Sequence, residues 1–142
     1  MATQEHPLEN EIDVARPLQP AGATITELMT RWDVNPFELR HVRNGANSVY
    51  QVDSGLSRHF MRVTHDRHRS HIQIEAELDF VRFVRQRGVA AAAPVRSNNN
   101  AWVETVEDHE GNTWHAVVFT GVPGRQFQYF SPDISETLFR VW

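Results

Sequence analysis

The 142 residues include no cysteine. That excludes a disulfide framework and any thiolate nucleophile or metal ligand, and it suits a cytoplasmic compartment. The chain also lacks a long basic run, and its net charge is −4. The cationic footprint of a non-specific nucleic-acid binder is therefore missing. An anionic small molecule is still admissible, because one local cation is enough to meet it. No apolar run approaches the ~20 residues that cross a bilayer. The amino end, Met1-Ala2-Thr3-Gln4-Glu5-His6, is polar and has no apolar signal core. Neither nucleic acid nor membrane is an expected partner. No internal repeat is present. What remains, with 40% hydrophobic residues, suffices for one small globular core.

Residues 1–20 carry Pro7, Pro17 and Pro20 among acids and few large apolar groups, which predicts a mobile tail. Thr24 and Glu27 have capping-box spacing, with Thr24 as N-cap, ahead of a short helix through Ile25, Leu28, Met29 and Trp32. Asp33 to Pro36 would end it. The period then changes to two, predicting strands over 39–43, 49–53 and 58–64. The links between them, Asn44-Gly45-Ala46-Asn47 and Asp53-Ser54-Gly55, contain residues that tolerate positive φ. Short links imply an antiparallel meander.

A charged loop over 65–69 leads into helical spacing over 72–87. There Ile74, Leu78, Val81 and Val84 form a stripe that Phe80 and Phe83 widen, and Gly88 is a plausible stop. Residues 90–95 read as an extended crossing and 98–100 as a turn. Residues 101–106 and 113–119 read as further strands, joined by a polar turn over 108–112. Val122-Pro123-Gly124 reads as a linker, and Ser131-Pro132-Asp133 opens a last helix through Leu138, Phe139 and Trp142. The expected fold class is α+β. It consists of a five-stranded antiparallel sheet with one packed helix, a short N-terminal helix and the start of a C-terminal one.

The centre of this pattern is Phe60-Met61-Arg62-Val63, a strand with a cation on one face, followed by a helix bearing Glu75 and Glu77. With Asn44-Gly45-Ala46-Asn47-Ser48-Val49-Tyr50-Gln51-Val52 before it, and Gly88-Val89, Pro94-Val95, Val117-Val118-Phe119 and Pro123-Gly124 after it, the chain resembles the N-terminal lobe of the aminoglycoside phosphotransferase and choline kinase family, of protein-kinase-like fold. Within that family it is similar to the homoserine kinase-like and stress-response Ser/Thr kinase branch. The resemblance covers residues 37–142 and divides the chain into a tail (1–20), a nucleotide-binding lobe (21–122), and a hinge with the start of a second lobe (123–142).

The resemblance implies an ATP-dependent phosphotransferase acting on a hydroxyl of a small molecule or a protein. Gly45, Ala46, Asn47, Ser48 and Val52 fall at the glycine-rich phosphate loop, where Asn47 and Tyr50 replace two of the glycines and Tyr50 is a packing residue. Arg62 falls at the phosphate-binding lysine. An arginine fork can grip phosphates and pair with a carboxylate. Glu77 is the implied partner and Glu75 the close competitor. Phe119, Thr120 and Gly121 fall at the hinge, where backbone groups would read the adenine edge and side-chain identity would matter little. Phe60 and Val52 would flank the base, with Val117 behind it. Without a resemblance, the loop is an ordinary Asn-Gly hairpin and Arg62 a surface cation pairing with a nearby acid.

The family's catalytic aspartate and its magnesium ligands belong to the second lobe, and no His-x-Asp-x-x-x-x-Asn pattern occurs here. No catalytic residue is therefore assigned within this chain. It reads as a partial sequence or truncated lobe that binds ATP weakly and turns over nothing. The alternative is a non-enzymatic module docking a partner through Leu138, Phe139 and Trp142.

His65, His68 and His71 have His-x-x-His spacing, but Arg67 and Arg69 between them disfavour a metal. Asp66 and Asp79 read as surface acids, and no base is in view for Ser48 or Thr64. Trp32, Trp102 and Trp114 read as packing residues.

Overall fold

A computed structural model describes residues 18–32, 38–54 and 57–123. The N-terminal tail up to residue 17, the segment 33–37 and the C-terminal helix with Leu138, Phe139 and Trp142 lie outside the described residues.

Helix α1 spans Gly22–Met29, and its N-cap is Ala21 with no side-chain cap bond. The expected Thr24–Glu27 capping box is not formed. The helix starts earlier and turns Thr24 into the core, where it is buried. Glu27 instead meets Arg31 one turn on, at 3.2 Å. The motif appears at the second helix, α2 (His71–Gln86), where Ser70 Oγ accepts from the Gln73 amide and the Gln73 side chain accepts from the Ser70 amide. Gly88 follows with φ 85°, a left-handed stop that favours glycine.

Strands β1 (Glu38–Arg43), β2 (Asn47–Ser54) and β3 (Ser57–His65) form the antiparallel meander. β6 (Thr113–Thr120) pairs with the far side of β3. Two short strands share the other edge of β6: β4 (Pro94–Val95) opposite Phe119 and Val118, and β5 (Glu104–Glu107) opposite residues 113–116. The sheet is thus six-stranded, one strand more than expected. The extra strand is the extended crossing at Pro94-Val95, which docks for two residues.

β5 begins later than the alternation predicts because residues 97–101 form a closed turn. The Ser97 amide donates to the Ala101 carbonyl at 2.8 Å, and Asn100 adopts φ 60°. Buried Glu104 accepts from Ser97 Oγ, and from Asn99 Nδ2 at 3.0 Å, which locks the turn.

Register assigns the two faces of the sheet. On one, Val52, Met61, Val63, Val106, Trp114, Ala116 and Val118 pack with Ile25, Leu28 and Trp32 of the α1 segment. Trp32 Nε1 also donates to the Val95 carbonyl at 2.9 Å. On the other, Val117 packs with Ile74 and Leu78 of α2 and with Val103. Among the described residues no helix is long and apolar enough to cross a membrane.

Candidate functional site

Arg62 lies on the α2 side of the sheet, paired across the ladders with Val49 and Val117. α2 is anchored on that face by Ile74 and Leu78, both 1% exposed, and Glu77 stands between them. Arg62 Nη1 therefore reaches Glu77 Oε1 at 2.6 Å. Glu75, two residues away along the helix, points elsewhere and meets His71 at 3.1 Å. Glu77 accepts a second cation, Arg69, on its other oxygen. Arg69 was not singled out from the sequence, because it sits in a loop that carries no periodicity.

The carboxylate uses only part of the guanidinium. Nε and Nη2 of Arg62 are shielded from solvent and have no hydrogen-bond partner among the described residues. A buried charged donor left unpaired is unfavourable by about 1–3 kcal/mol or more. Two such donors on one fork suit an oxygen-rich anion. Their neighbours are flat and apolar. Phe60 pairs with Phe119 across the ladder, and the Arg62 Cζ lies 5.5 Å from the Phe119 ring centroid.

The other expected positions divide. Gly45 and Ala46 are exposed at the β1–β2 bend. Among the described residues only Asn100, Gly88 and Gly111 take positive φ, so this bend does not use the left-handed backbone that its Asn-Gly composition permits. Asn47 Oδ1 accepts from Thr64 Oγ1 at 2.7 Å, which ties the bend to β3. Asn44, not anticipated, meets His41 Nε2 at 2.6 Å and accepts from Ser48 Oγ at 3.4 Å.

Ser48 and Val52, 2% and 3% exposed, face the α1 side and not the Arg62 side. Val52 cannot flank a base resting on Phe60, because strand alternation sends it to the opposite face. Val49 and Gln51 occupy the facing positions beside Arg62 and Phe60. Tyr50 packs on the core with Val52; its burial raises the phenol pKa, with Ser48's hydrogen bond opposing that.

At the hinge the expected amides are already engaged. The Thr120 amide donates to the Ala93 carbonyl at 2.8 Å and the Gly121 amide to the Arg58 carbonyl at 2.7 Å. Side-chain identity also matters there. A Cβ on Gly121 would stand 2.8 Å from the Arg58 carbonyl oxygen. His65, His68 and His71 do not converge. His65 is buried against Trp114 on the α1 face, and His71 meets Thr105 beside α2. Among the described residues no three His, Asp or Glu side chains are placed to share a metal ion.

Comparison with known proteins bears on the family and the fold. The chain is 26% identical over 115 residues to the amicoumacin kinase of Bacillus subtilis (strain 168), which covers 81% of this chain and 34% of that protein. Among solved structures it is similar to amicoumacin kinase hAmiN in complex with AMP-PNP, Ca2+ and Ami, at TM-score 0.68 and 25% identity over 75% of this chain and 32% of the other. It is similar also to a microcompartment-associated aminopropanol kinase, at TM-score 0.64 and 28% identity over 73% of this chain and 33% of the other. The chain thus spans about a third of the length of these relatives. A family model described as the phosphotransferase enzyme family, APH, matches residues 38–140, and the chain belongs to that family.

Proposed function

We propose that this chain is the nucleotide-binding, N-terminal part of an ATP-dependent phosphotransferase acting on a hydroxyl group of a small molecule or a protein. The observation that carries the reading is the half-used guanidinium of Arg62. Glu77 orients it, and Nε and Nη2 are left for phosphate oxygens. Phe60, Phe119 and Val49, on the Arg62 face of the sheet, form the apolar surface on which the nucleoside rests, with Val117 buried behind it under α2. The bend at Gly45, Ala46 and Asn47 lies over the phosphates. Residues 21–122 correspond to this lobe, and 123–142 to the hinge and the start of a second lobe.

One relative, solved with AMP-PNP and Ca2+, supports use of a nucleotide with a divalent cation. In this protein the cation is magnesium, held by residues that the 142-residue chain does not supply. The chain therefore binds ATP weakly and performs no transfer by itself. Titrating AMP-PNP and adenosine separately into the purified chain tests the reading. AMP-PNP is expected to bind the tighter of the two. Equal affinities would remove the phosphate role from Arg62, and a measured phosphotransfer rate would contradict the assignment of chemistry to other residues.

A further inference from the structure

Beside the first turn of α2, a run of hydrogen bonds connects two carboxylates. Asp66 Oδ1 lies 2.7 Å from His115 Nε2. His115 Nδ1 lies 2.8 Å from Thr105 Oγ1, and the same hydroxyl lies 3.0 Å from His71 Nδ1. His71 Nε2 then lies 3.1 Å from Glu75 Oε1. The two imidazoles stand edge-on with centroids 5.7 Å apart. His115, on β6, is 2% exposed. Thr105 is on β5, His71 and Glu75 are on α2, and Asp66 follows β3, so the run ties four parts of the lobe together.

Counting protons shows that this run is one short. Four contacts need four hydrogens. Thr105 supplies one, each neutral imidazole supplies one, and ionised carboxylates supply none. With both histidines neutral, one contact is left with two acceptors facing each other. One added proton completes all four. The surroundings accept that charge. The groups around the pair on this face are Thr64 from β3, Glu107 from β5, Thr113 and Val117 from β6, and the two terminal carboxylates, with Arg62 two residues along β3 already paired with Glu77. In the preceding loop Arg67 is exposed and Arg69 is engaged by Glu77. The amino end of α2 disfavours a cation on His71, and Glu75 offsets this.

We infer that Thr105 and His115 are positioning residues that moor the first turn of α2 to the sheet, and that one proton completes the mooring. The same helix carries Glu77, so the mooring sets how Arg62 is presented. That functional consequence rests on the nucleotide reading above, whereas the mooring itself does not.

Three variants test it through amide hydrogen exchange at residues 74–78, corrected for intrinsic rates, at pH about 8 and about 5.5, the ends of the window in which an imidazole changes charge. In the wild-type chain, protection is expected to rise about tenfold on acidification, as for one added charge-assisted bond. Glu75→Gln carries an amide that donates to neutral His71. It supplies the fourth hydrogen, so protection is expected to be high already at pH about 8 and flat with pH. Thr105→Val breaks the run and is expected to give low, flat protection, with Thr105→Ser restoring the wild-type profile.

Protection in the wild type that does not change with pH, or a Glu75→Gln variant that keeps the wild-type slope, would overturn the inference. AMP-PNP affinity followed over the same pH range separates the two readings. A pH-dependent helix with no nucleotide binding leaves the mooring standing and removes only its consequence.

Discussion

Arg62 and Glu77, fifteen residues apart in the chain, meet at 2.6 Å across the interface between β3 and α2. Both side chains are largely but not fully covered. Glu77→Ala strands a shielded guanidinium and is expected to destabilise the lobe by about 1–3 kcal/mol in urea unfolding. The exposed Asp79–Arg82 pair, at 3.0 Å, provides the control. Asp79→Ala is expected to change stability by about 0–1 kcal/mol. Equal effects of the two substitutions would show that Glu77 is one more surface acid.

Val49 and Val52 are on the same strand but opposite faces. Val52 is 3% exposed in the core under α1. Val52→Ala is expected to lower stability by about 1–3 kcal/mol while leaving AMP-PNP affinity of the folded chain unchanged. Val49→Ala is expected to weaken AMP-PNP binding with a smaller loss of stability. Paired unfolding and binding curves check the division.

Gly121 packs against backbone, and the nearest atom to an added Cβ would be the Arg58 carbonyl oxygen at 2.8 Å. That oxygen is itself fixed by the Gly121 amide. Gly121→Ala is therefore expected to destabilise the β3–hinge contact by about 1–3 kcal/mol, because neither side can retreat. Thermal unfolding measures it. A neutral outcome would mean that the β6 end is free to shift.

Asp108 has a pKa held down to about 2, first by the hydrogen bond from Trp114 Nε1 at 2.9 Å and then, against burial, by bonds from Asn112 and Glu110. A carboxylate depressed on folding stabilises the native state above its ordinary value of 3.8. That contribution is lost as pH falls from 3.8 through about 2. Urea midpoints followed down this window are expected to fall in the wild type. In Asp108→Asn, stability should start lower and decline less.

Much of the lobe was legible in the chain because its signals are local. Period-two stretches marked β1, β2, β3 and β6, and the stripe through Ile74 and Leu78 marked the face that α2 buries. The chain also has no lysine, so all 14 basic residues are arginine. With no lysine to hold the phosphates the strand cation had to be an arginine, and Arg62, in the middle of the strand ahead of an acidic helix, matched that position.

What escaped was set by pairing between distant segments. Alternation alone does not say which face of β2 joins Arg62, and placing Val52 beside Phe60 was wrong for that reason. The hinge amides read as available, but Thr120 at the end of β6 bonds Ala93 and Gly121 just past it bonds Arg58. Pro94-Val95 is too short to show a period and becomes a strand only because the end of β6 offers it an edge. The run from Asp66 to Glu75 joins residues on four segments and has no motif in the sequence.

The most direct test of the phosphate role compares AMP-PNP with adenosine on the wild-type chain and on Arg62→Ala, with folding verified by circular dichroism. The two donors of Arg62 that have no partner among the described residues predict a loss of about 1.5–3 kcal/mol, or roughly 10- to 100-fold, in AMP-PNP affinity and no change for adenosine. If a folded Arg62→Ala chain bound AMP-PNP as tightly as the wild type, the account would be contradicted.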